Sequence, residues 1–168
     1  MPKEVFRIGV MGRSHPPASR WGGRVLRPHA VTEAPLPLAP GTLMHDDGGV
    51  HTVWLGDHEL VLHHGETGHY RTNLASARPS VWVSMDAGRV HLVTPDPYEG
   101  ESLASDPARV VEAVAMPPGL MAAVAAFIAQ HHVEEVFHKR RRTRATGQYE
   151  ADPRAPRILS PDQKWGRK

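Results

Sequence analysis

Residues 51–63 read His-Thr-Val-Trp-Leu-Gly-Asp-His-Glu-Leu-Val-Leu-His and give the clearest β-strand pattern in the chain. Two apolar runs flank Gly56-Asp57, a dipeptide typical of tight turns, so this stretch predicts a β-hairpin. Further strand-like runs lie on both sides of it, at residues 5–11, 24–32, 70–74, 80–85 and 89–94. Because short strands joined by tight turns pair antiparallel, we expect a meander-like antiparallel sheet of about six or seven strands.

Glycine- and proline-rich stretches at residues 12–23 and 34–49 interrupt the strands and indicate loops. Trp21 lies in the first loop. We expect its ring to anchor that loop to the core, because burial of an indole removes a large apolar area from water. After residue 97 the pattern changes, and it predicts a short helical turn near residues 98–103 and an extended segment at 110–114.

A C-terminal helix follows, and Pro117-Pro118 can open it because the first turn of a helix tolerates missing N–H groups. An apolar stripe then recurs at steps of three and four residues, formed by Leu120, Val124, Phe127, Ile128 and His131. This spacing predicts a long helix of about five turns that covers one face of the sheet. The fold class expected is therefore α+β, with residues 1–138 as a single domain.

Residues 139–168 differ from the rest of the chain in composition and charge. Residues 1–138 contain 15 acidic and 10 basic side chains, a formal charge of −5, whereas residues 139–168 contain 3 acidic and 10 basic ones, a formal charge of +7. The second segment is also rich in proline. We therefore expect a basic, flexible and disordered tail.

Composition excludes several functional classes. The chain has no cysteine, so it forms no disulfide, thiolate metal site or cysteine nucleophile. It shows no apolar signal-peptide core at its start and no stretch that approaches 18 apolar residues. These features predict a cytoplasmic protein without a membrane partner.

The end of the predicted helix offers a candidate metal site. His131, Glu135 and His138 are spaced i, i+4 and i+7 and would project from one helix face, where they could hold zinc or another divalent ion. A helix end explains the same spacing without a metal, because Glu134 and Glu135 can pair with His138 and Lys139. We therefore predict no metal and no cofactor, with these three residues as the alternative.

A second polar cluster is expected in the turn before residue 70, formed by His63, His64, Glu66, His69 and Tyr70. Their side chains could converge, and Glu66 could orient a neighbouring imidazole for acid–base work. A polar turn without any function has the same composition. No catalytic residue is assigned.

The strongest charge signal is the basic run, residues 139–144, in which five of six residues are Lys or Arg. Such a run can simply be a solvated surface, or it can bind an acidic protein surface or a polyanion. Nucleic-acid binding through phosphate neutralisation would depend strongly on salt. The folded part is acidic and no aromatic residue lies within the run to stack on bases, so an acidic protein surface is the favoured partner.

The block at residues 117–144, with His131-His132-Val133-x-Glu135-x-Phe137 before the basic run, resembles an uncharacterised bacterial family, the domain of unknown function number three thousand three hundred and five. Further blocks agree with that family in their order and spacing. They are Trp21 with residues 24–32, Glu66-Thr67 with Tyr70 and Asn73-Leu74, residues 79–83, and residues 93–99. The similarity covers roughly residues 5–144. His138 replaces a frequent aromatic residue.

Members of that family look like products of genes beside molybdenum formate dehydrogenase genes. The resemblance therefore implies a non-catalytic accessory or maturation protein for such an enzyme, with the enzyme or its cofactor-insertion machinery as partner. The docking surface expected here consists of His131, His132, Glu135, Lys139, Arg140, Arg141, Arg142 and Arg144. The alternatives are a polyanion- or nucleic-acid-binding module acting through the basic run and a small His/Glu metal-binding protein.

Overall fold

The computed structural model describes residues 3–133, which belong to one compact unit with an α+β fold. Seven strands form two antiparallel sheets, and three helices accompany them. The predicted tail at residues 139–168 lies outside the described residues. Within residues 3–133, no helix is both long and apolar enough to cross a membrane.

The first sheet contains β1 (Lys3–His15), β2 (Val25–Thr32), β3 (Leu43–Asp47) and β4 (Val50–His63) in the order β2-β1-β4-β3. Buried and exposed residues alternate on its two central strands, as expected for a sheet that buries one face. Ile8 and Val10 on β1, and Leu60 and Leu62 on β4, are fully buried. Alternation therefore places the core on a single face of this sheet.

The predicted hairpin at Gly56-Asp57 is wrong, because β4 continues through both residues. Val10 pairs with Gly56 while Met11 pairs with Trp54, so Leu55 has no partner on β1. The extra residue makes a β-bulge, and the φ of +109° at Gly56 is a conformation that glycine adopts without strain. A glycine that was expected to turn the chain instead bends one long strand.

The second sheet contains β5 (Ser80–Asp86), β6 (Arg89–Thr94) and β7 (Val110–Ala115) in the order β6-β5-β7. The expected single meander-like sheet is thus replaced by two sheets. The strands predicted at residues 80–85 and 89–94 are joined by a tight turn, with positive φ at Ala87 and Gly88. A two-residue turn with two positive φ values follows the right-handed twist of a hairpin.

Three helices complete the unit: α1 (Thr67–Leu74), α2 (Pro97–Ala104) and α3 (Pro118–His131). The strand predicted at residues 70–74 is wrong, because this segment belongs to α1. The buried residues of α1 are Thr67, Tyr70 and Asn73, which recur every three residues as on one helix face. The short helix near residue 98 and the extended segment at 110–114 are confirmed as α2 and β7.

One hydrophobic core joins both sheets and α3. Leu120, Val124 and Phe127 of α3 are buried against residues of both sheets, including Ile8 and Val83. These three positions belong to the predicted apolar stripe. The helix has 14 residues, about four turns, rather than five. It ends at His131, and the backbone of His132 is already extended.

The first loop contradicts the expected role of Trp21. Its side chain is 84% exposed, and the Arg20 guanidinium lies over its ring at 4.6 Å from the ring centroid. The indole buried in the first sheet is Trp54, which packs against the backbone of Gly9, where a Cβ atom would overlap the ring. The Trp54 ring fills the space left by the missing side chain of Gly9, whereas Trp21 lies in a loop and is exposed.

Candidate functional site

Asn73 fastens α1 to the second sheet and so positions the polar groups of that helix. The side chain is 3% exposed. Its Nδ2 donates to the carbonyl oxygens of Ser80 and Pro95, both at 2.7 Å, and its Oδ1 accepts from the Ser80 N–H at 2.9 Å. One amide therefore ties α1 to the start of β5 and to the segment that precedes α2.

Asp96 follows Pro95 and caps α2. Its Oδ1 accepts from the backbone N–H groups of Tyr98 at 2.8 Å and Glu99 at 3.4 Å, which would otherwise have no partner in the first turn. Pro97 occupies the first helical position, where proline is favoured. The cap fixes the Asp96 carboxylate, which is 4% exposed, and leaves its Oδ2 facing α1.

Three side chains meet there, and we call Glu66, His69 and Asp96 the carboxylate–histidine cluster. His69 Nδ1 lies 2.7 Å from Asp96 Oδ2 and 3.2 Å from Glu66 Oε2. Glu66 ends the 3-10 turn His64–Glu66 just before α1, and His69 follows three residues later in the first turn of the helix. Among residues 3–133 this is the group whose ligand atoms, all within 4.8 Å of one another, could hold a metal ion.

Hydrogen bonds and nearby charges within the cluster shift the pKa values of all three groups. The hydrogen bond with Asp96 raises the pKa of His69, and the two nearby carboxylates add to that effect. The contact with Asp96, followed by partial burial, raises the pKa of Glu66. Burial raises the pKa of Asp96, but its hydrogen bonds with Glu66, His69 and the Tyr98 N–H outweigh burial and lower it. Asp96 is thus the carboxylate that stays charged.

Tyr98 covers part of the cluster. Its ring lies against the His69 ring with 4.5 Å between centroids and a 55° angle between planes, while 56% of the side chain remains exposed. Glu66 and His69 are each 42% exposed, whereas Asp96 is buried. The cluster is therefore reachable from solvent through Glu66 and His69, with Asp96 as its floor.

A second group of histidines lies where α1 meets the end of α3. The rings of His64 and His131 are 3.7 Å apart between centroids, and both contact the buried ring of Phe127, at 5.4 and 4.7 Å. Burial lowers the pKa of His64, and the neighbouring His131 lowers it further. The two imidazoles extend the aromatic core to the surface.

His132 joins the same group through a chain of hydrogen bonds. Arg71 Nη1 lies 3.1 Å from His132 Nε2, and His132 Nδ1 lies 3.1 Å from Thr67 Oγ1. Because a guanidinium can only donate, Nε2 of His132 accepts and its Nδ1 donates to Thr67. We call His64, Arg71, His131 and His132 the helix-end surface. It joins segments that are more than 60 positions apart in sequence.

The structure thus connects two groups of residues that the sequence analysis treated separately. His64 joins His131, while Glu66 and His69 turn toward Asp96. His63 contributes its backbone N–H to Tyr70 Oη at 3.0 Å, and Tyr70 is buried, which raises its pKa to about 12. The other predicted docking and metal residues, Glu135, His138, Lys139, Arg140, Arg141, Arg142 and Arg144, lie outside the described residues. Helical spacing along α3 ends at His131.

Comparison with family models matches residues 7–141 to the family described as "Protein of unknown function (DUF3305)". The chain belongs to this family. The match spans both sheets, all three helices and every residue of the carboxylate–histidine cluster and the helix-end surface. Comparison with curated proteins and with solved structures finds no match.

Within this DUF3305 domain, Asp96 is the most buried member of the cluster and was not among the predicted site residues. Pro95-Asp96-Pro97 contained a usable signal, because an aspartate before a proline is a typical helix N-cap. The N-cap signal could not show that Asp96 would lie beside His69. His69 lies 27 positions earlier, and the strand predicted at residues 70–74 separated the two.

Proposed function

We propose that this DUF3305 protein is a non-catalytic accessory or maturation protein for a molybdenum-dependent formate dehydrogenase. It acts by docking through the helix-end surface and the basic run that follows in sequence. The observation that carries the docking role is the junction of His64 with His131 and of Arg71 with His132. These contacts collect donors and imidazoles from two distant segments on one side of the domain.

The composition of this surface suits a polar, acidic partner. Arg71 is exposed, and the three histidines are half-buried, so their outward atoms can reach a bound molecule. The Arg71 guanidinium can recognise carboxylates through charge-assisted hydrogen bonds, and the three histidines add half-buried aromatic surface beside it. Five basic side chains at residues 139–144 add positive charge only a few positions after His132. Complementary charge of this kind chiefly raises association rate and specificity.

The choice of formate dehydrogenase as the partner rests on the family resemblance described above. Two of the sequence blocks that carry the resemblance, around residues 66–74 and 93–99, contain Glu66, Asn73 and Asp96. The helix-end surface supports the docking role, and the gene neighbourhood that the resemblance implies supports formate dehydrogenase as the partner. A polyanion is the other partner that the basic run could take.

Deletion and complementation test the proposal. Deleting the gene should lower formate dehydrogenase activity and the molybdenum content of the enzyme, and the wild-type gene should restore both. A chain ending at residue 138 and the double variant Arg71→Ala/His132→Ala should restore them poorly, whereas His91→Ala, an exposed histidine on β6, should restore them fully. Unchanged activity and molybdenum content in the deletion strain would rule out the accessory role.

Binding measurements separate the two kinds of partner. Purified full-length protein should bind purified formate dehydrogenase, and Arg71→Ala/His132→Ala should weaken that binding while His91→Ala should not. Binding to RNA or DNA with a steep salt dependence, together with no binding to the enzyme, would instead identify a polyanion-binding protein.

A further inference from the structure

We propose that the carboxylate–histidine cluster, Glu66, His69 and Asp96, is a binding site for a divalent transition-metal cation. This site is separate from the helix-end surface and does not depend on the docking role. It also differs from the ligand set His131, Glu135 and His138 suggested by sequence spacing, with which it shares no residue.

The distances in the cluster fit the coordination shell of one ion. Ligand atoms that lie about 2.0–2.2 Å from a metal are about 3.0–3.5 Å from one another in octahedral or tetrahedral geometry. His69 Nδ1 lies 2.7 Å from Asp96 Oδ2 and 3.2 Å from Glu66 Oε2, and all three ligand atoms lie within 4.8 Å of one another. The three ligand atoms are close enough for one ion to contact them all once the half-exposed Glu66 and His69 side chains adjust around it.

The charges of the cluster also favour binding of a cation. Two carboxylates lie close to the same imidazole nitrogen, so their negative charges repel each other over a short distance. A divalent ion neutralises both carboxylates and accepts the lone pair of a neutral imidazole. One nitrogen and two oxygen ligands suit Fe²⁺ and Zn²⁺ better than Mg²⁺ or Ca²⁺, which prefer oxygen alone, and the two carboxylates also suit Mn²⁺.

The surroundings hold the ligands in place, as supporting residues do around metal sites. Asp96 Oδ1 is occupied by the α2 cap, which leaves Oδ2 for the ion. Asn73 holds the carbonyl of the adjacent Pro95, and the Tyr98 ring packs against His69. Ordered, half-buried ligands lose little conformational entropy on binding. Exposure of Glu66 and His69 leaves room for water or another molecule on the open side of the ion.

Titration of the full-length protein with Mn²⁺ tests the site, with the free ion followed by its electron paramagnetic resonance signal. Mn²⁺ favours carboxylate ligands, so isolated surface histidines contribute little. We expect one saturable ion per chain. Glu66→Gln and His69→Gln should each lower the affinity more than about 100-fold, the upper range for losing a residue that only supports a ligand.

Two matched variants make the same chemical changes elsewhere. Glu99→Gln alters an exposed acid in the first turn of α2, and His91→Gln alters an exposed histidine on β6. Both should bind Mn²⁺ like the wild type. Circular dichroism of each variant without metal checks folding, and Asp96 is left intact because its loss would uncap α2.

Thermal unfolding gives a second measurement. The Tm of the wild type should rise with Mn²⁺ concentration, and the Tm of Glu66→Gln should stay constant. Absence of binding to the wild type at millimolar Mn²⁺, or equal affinity in Glu66→Gln and His69→Gln, would overturn the site. Loss of binding in both cluster variants but in neither matched variant would support it.

Discussion

Replacement of Asn73 by alanine should be among the most destabilising single changes in this domain. The substitution removes three hydrogen bonds and leaves the Ser80 N–H and the carbonyls of Ser80 and Pro95 without their amide partner. A buried polar group left without a partner costs about 1–3 kcal/mol. Some relaxation is expected, so we expect a loss of about 3–5 kcal/mol in the free energy of unfolding.

That loss is large beside the whole stability of a domain, which is about 5–15 kcal/mol. For a unit of this size it corresponds to a fall in Tm of about 10–20 °C. Urea denaturation at equilibrium, followed by tryptophan fluorescence and circular dichroism, measures it directly. Thr72→Ala is the matched control, because Thr72 is exposed and its hydroxyl donates to the Gly68 carbonyl within the same helix. It should change stability by less than about 1 kcal/mol.

Asn73→Asp sharpens the test. This variant keeps an oxygen that can accept from the Ser80 N–H, but it points a carboxylate at two carbonyl oxygens. It should be at least as unstable as Asn73→Ala at neutral pH, because a buried carboxylate then faces two carbonyl oxygens that cannot donate to it. A loss below about 1 kcal/mol in Asn73→Ala would refute the reasoning that this amide holds α1 in place.

Three further outcomes are expected. The hydrogen bond to Asp96 raises the pKa of His69, so its contribution to stability is complete below the unfolded pKa of 6.5 and is lost as pH rises through the higher folded pKa. In urea denaturation between pH 6 and 9, the free energy of unfolding of His69→Gln should therefore decline less than that of the wild type. Gly100→Ala should cost about 1–3 kcal/mol in thermal denaturation, since a Cβ atom there would overlap the ring of Trp82, and a variant as stable as the wild type would contradict that packing. Trp21→Ala should change the free energy of unfolding by less than about 0.5 kcal/mol, because the side chain is 84% exposed, and a loss above 2 kcal/mol would show that the ring is buried after all.

Sequence patterns predicted the fold class and most elements of this domain because they report on local environment. Alternation identified the strands at 80–85 and 89–94, and the three- and four-residue steps at Leu120, Val124 and Phe127 identified α3. The predictions that were wrong concern features that depend on residues distant in sequence. Gly56 looks like a turn residue, and only its pairing opposite Val10 shows that it relieves a bulge. Two sheets rather than one also reflect long-range pairing, which no local pattern encodes.

The candidate site was predictable in part for the same reason. The residues before Tyr70 were recognised as a polar cluster, and His131 and His132 as the end of a helix. The contact between the polar cluster and the helix end could not be inferred, because the segment at 70–74 has a strand-like composition. Its helical form is indicated by the spacing of its buried residues, Tyr70 and Asn73. Once α1 is helical, His69 and Asn73 lie one turn apart and both reach the segment of Asp96.

Asp96 serves two structures with its two oxygens, one at the start of α2 and one in the carboxylate–histidine cluster. Local unfolding of the first turn of α2 is therefore coupled to binding of an ion or molecule at the cluster. An occupant that holds the Asp96 carboxylate in place also holds the cap, and loss of the occupant allows the first turn of α2 to fray. Amide hydrogen exchange at Tyr98, Glu99 and Gly100 should report this linkage, with protection rising when the cluster is filled. The hydrogen-exchange rate of the first turn of α2 would then report whether the neighbouring cluster is occupied.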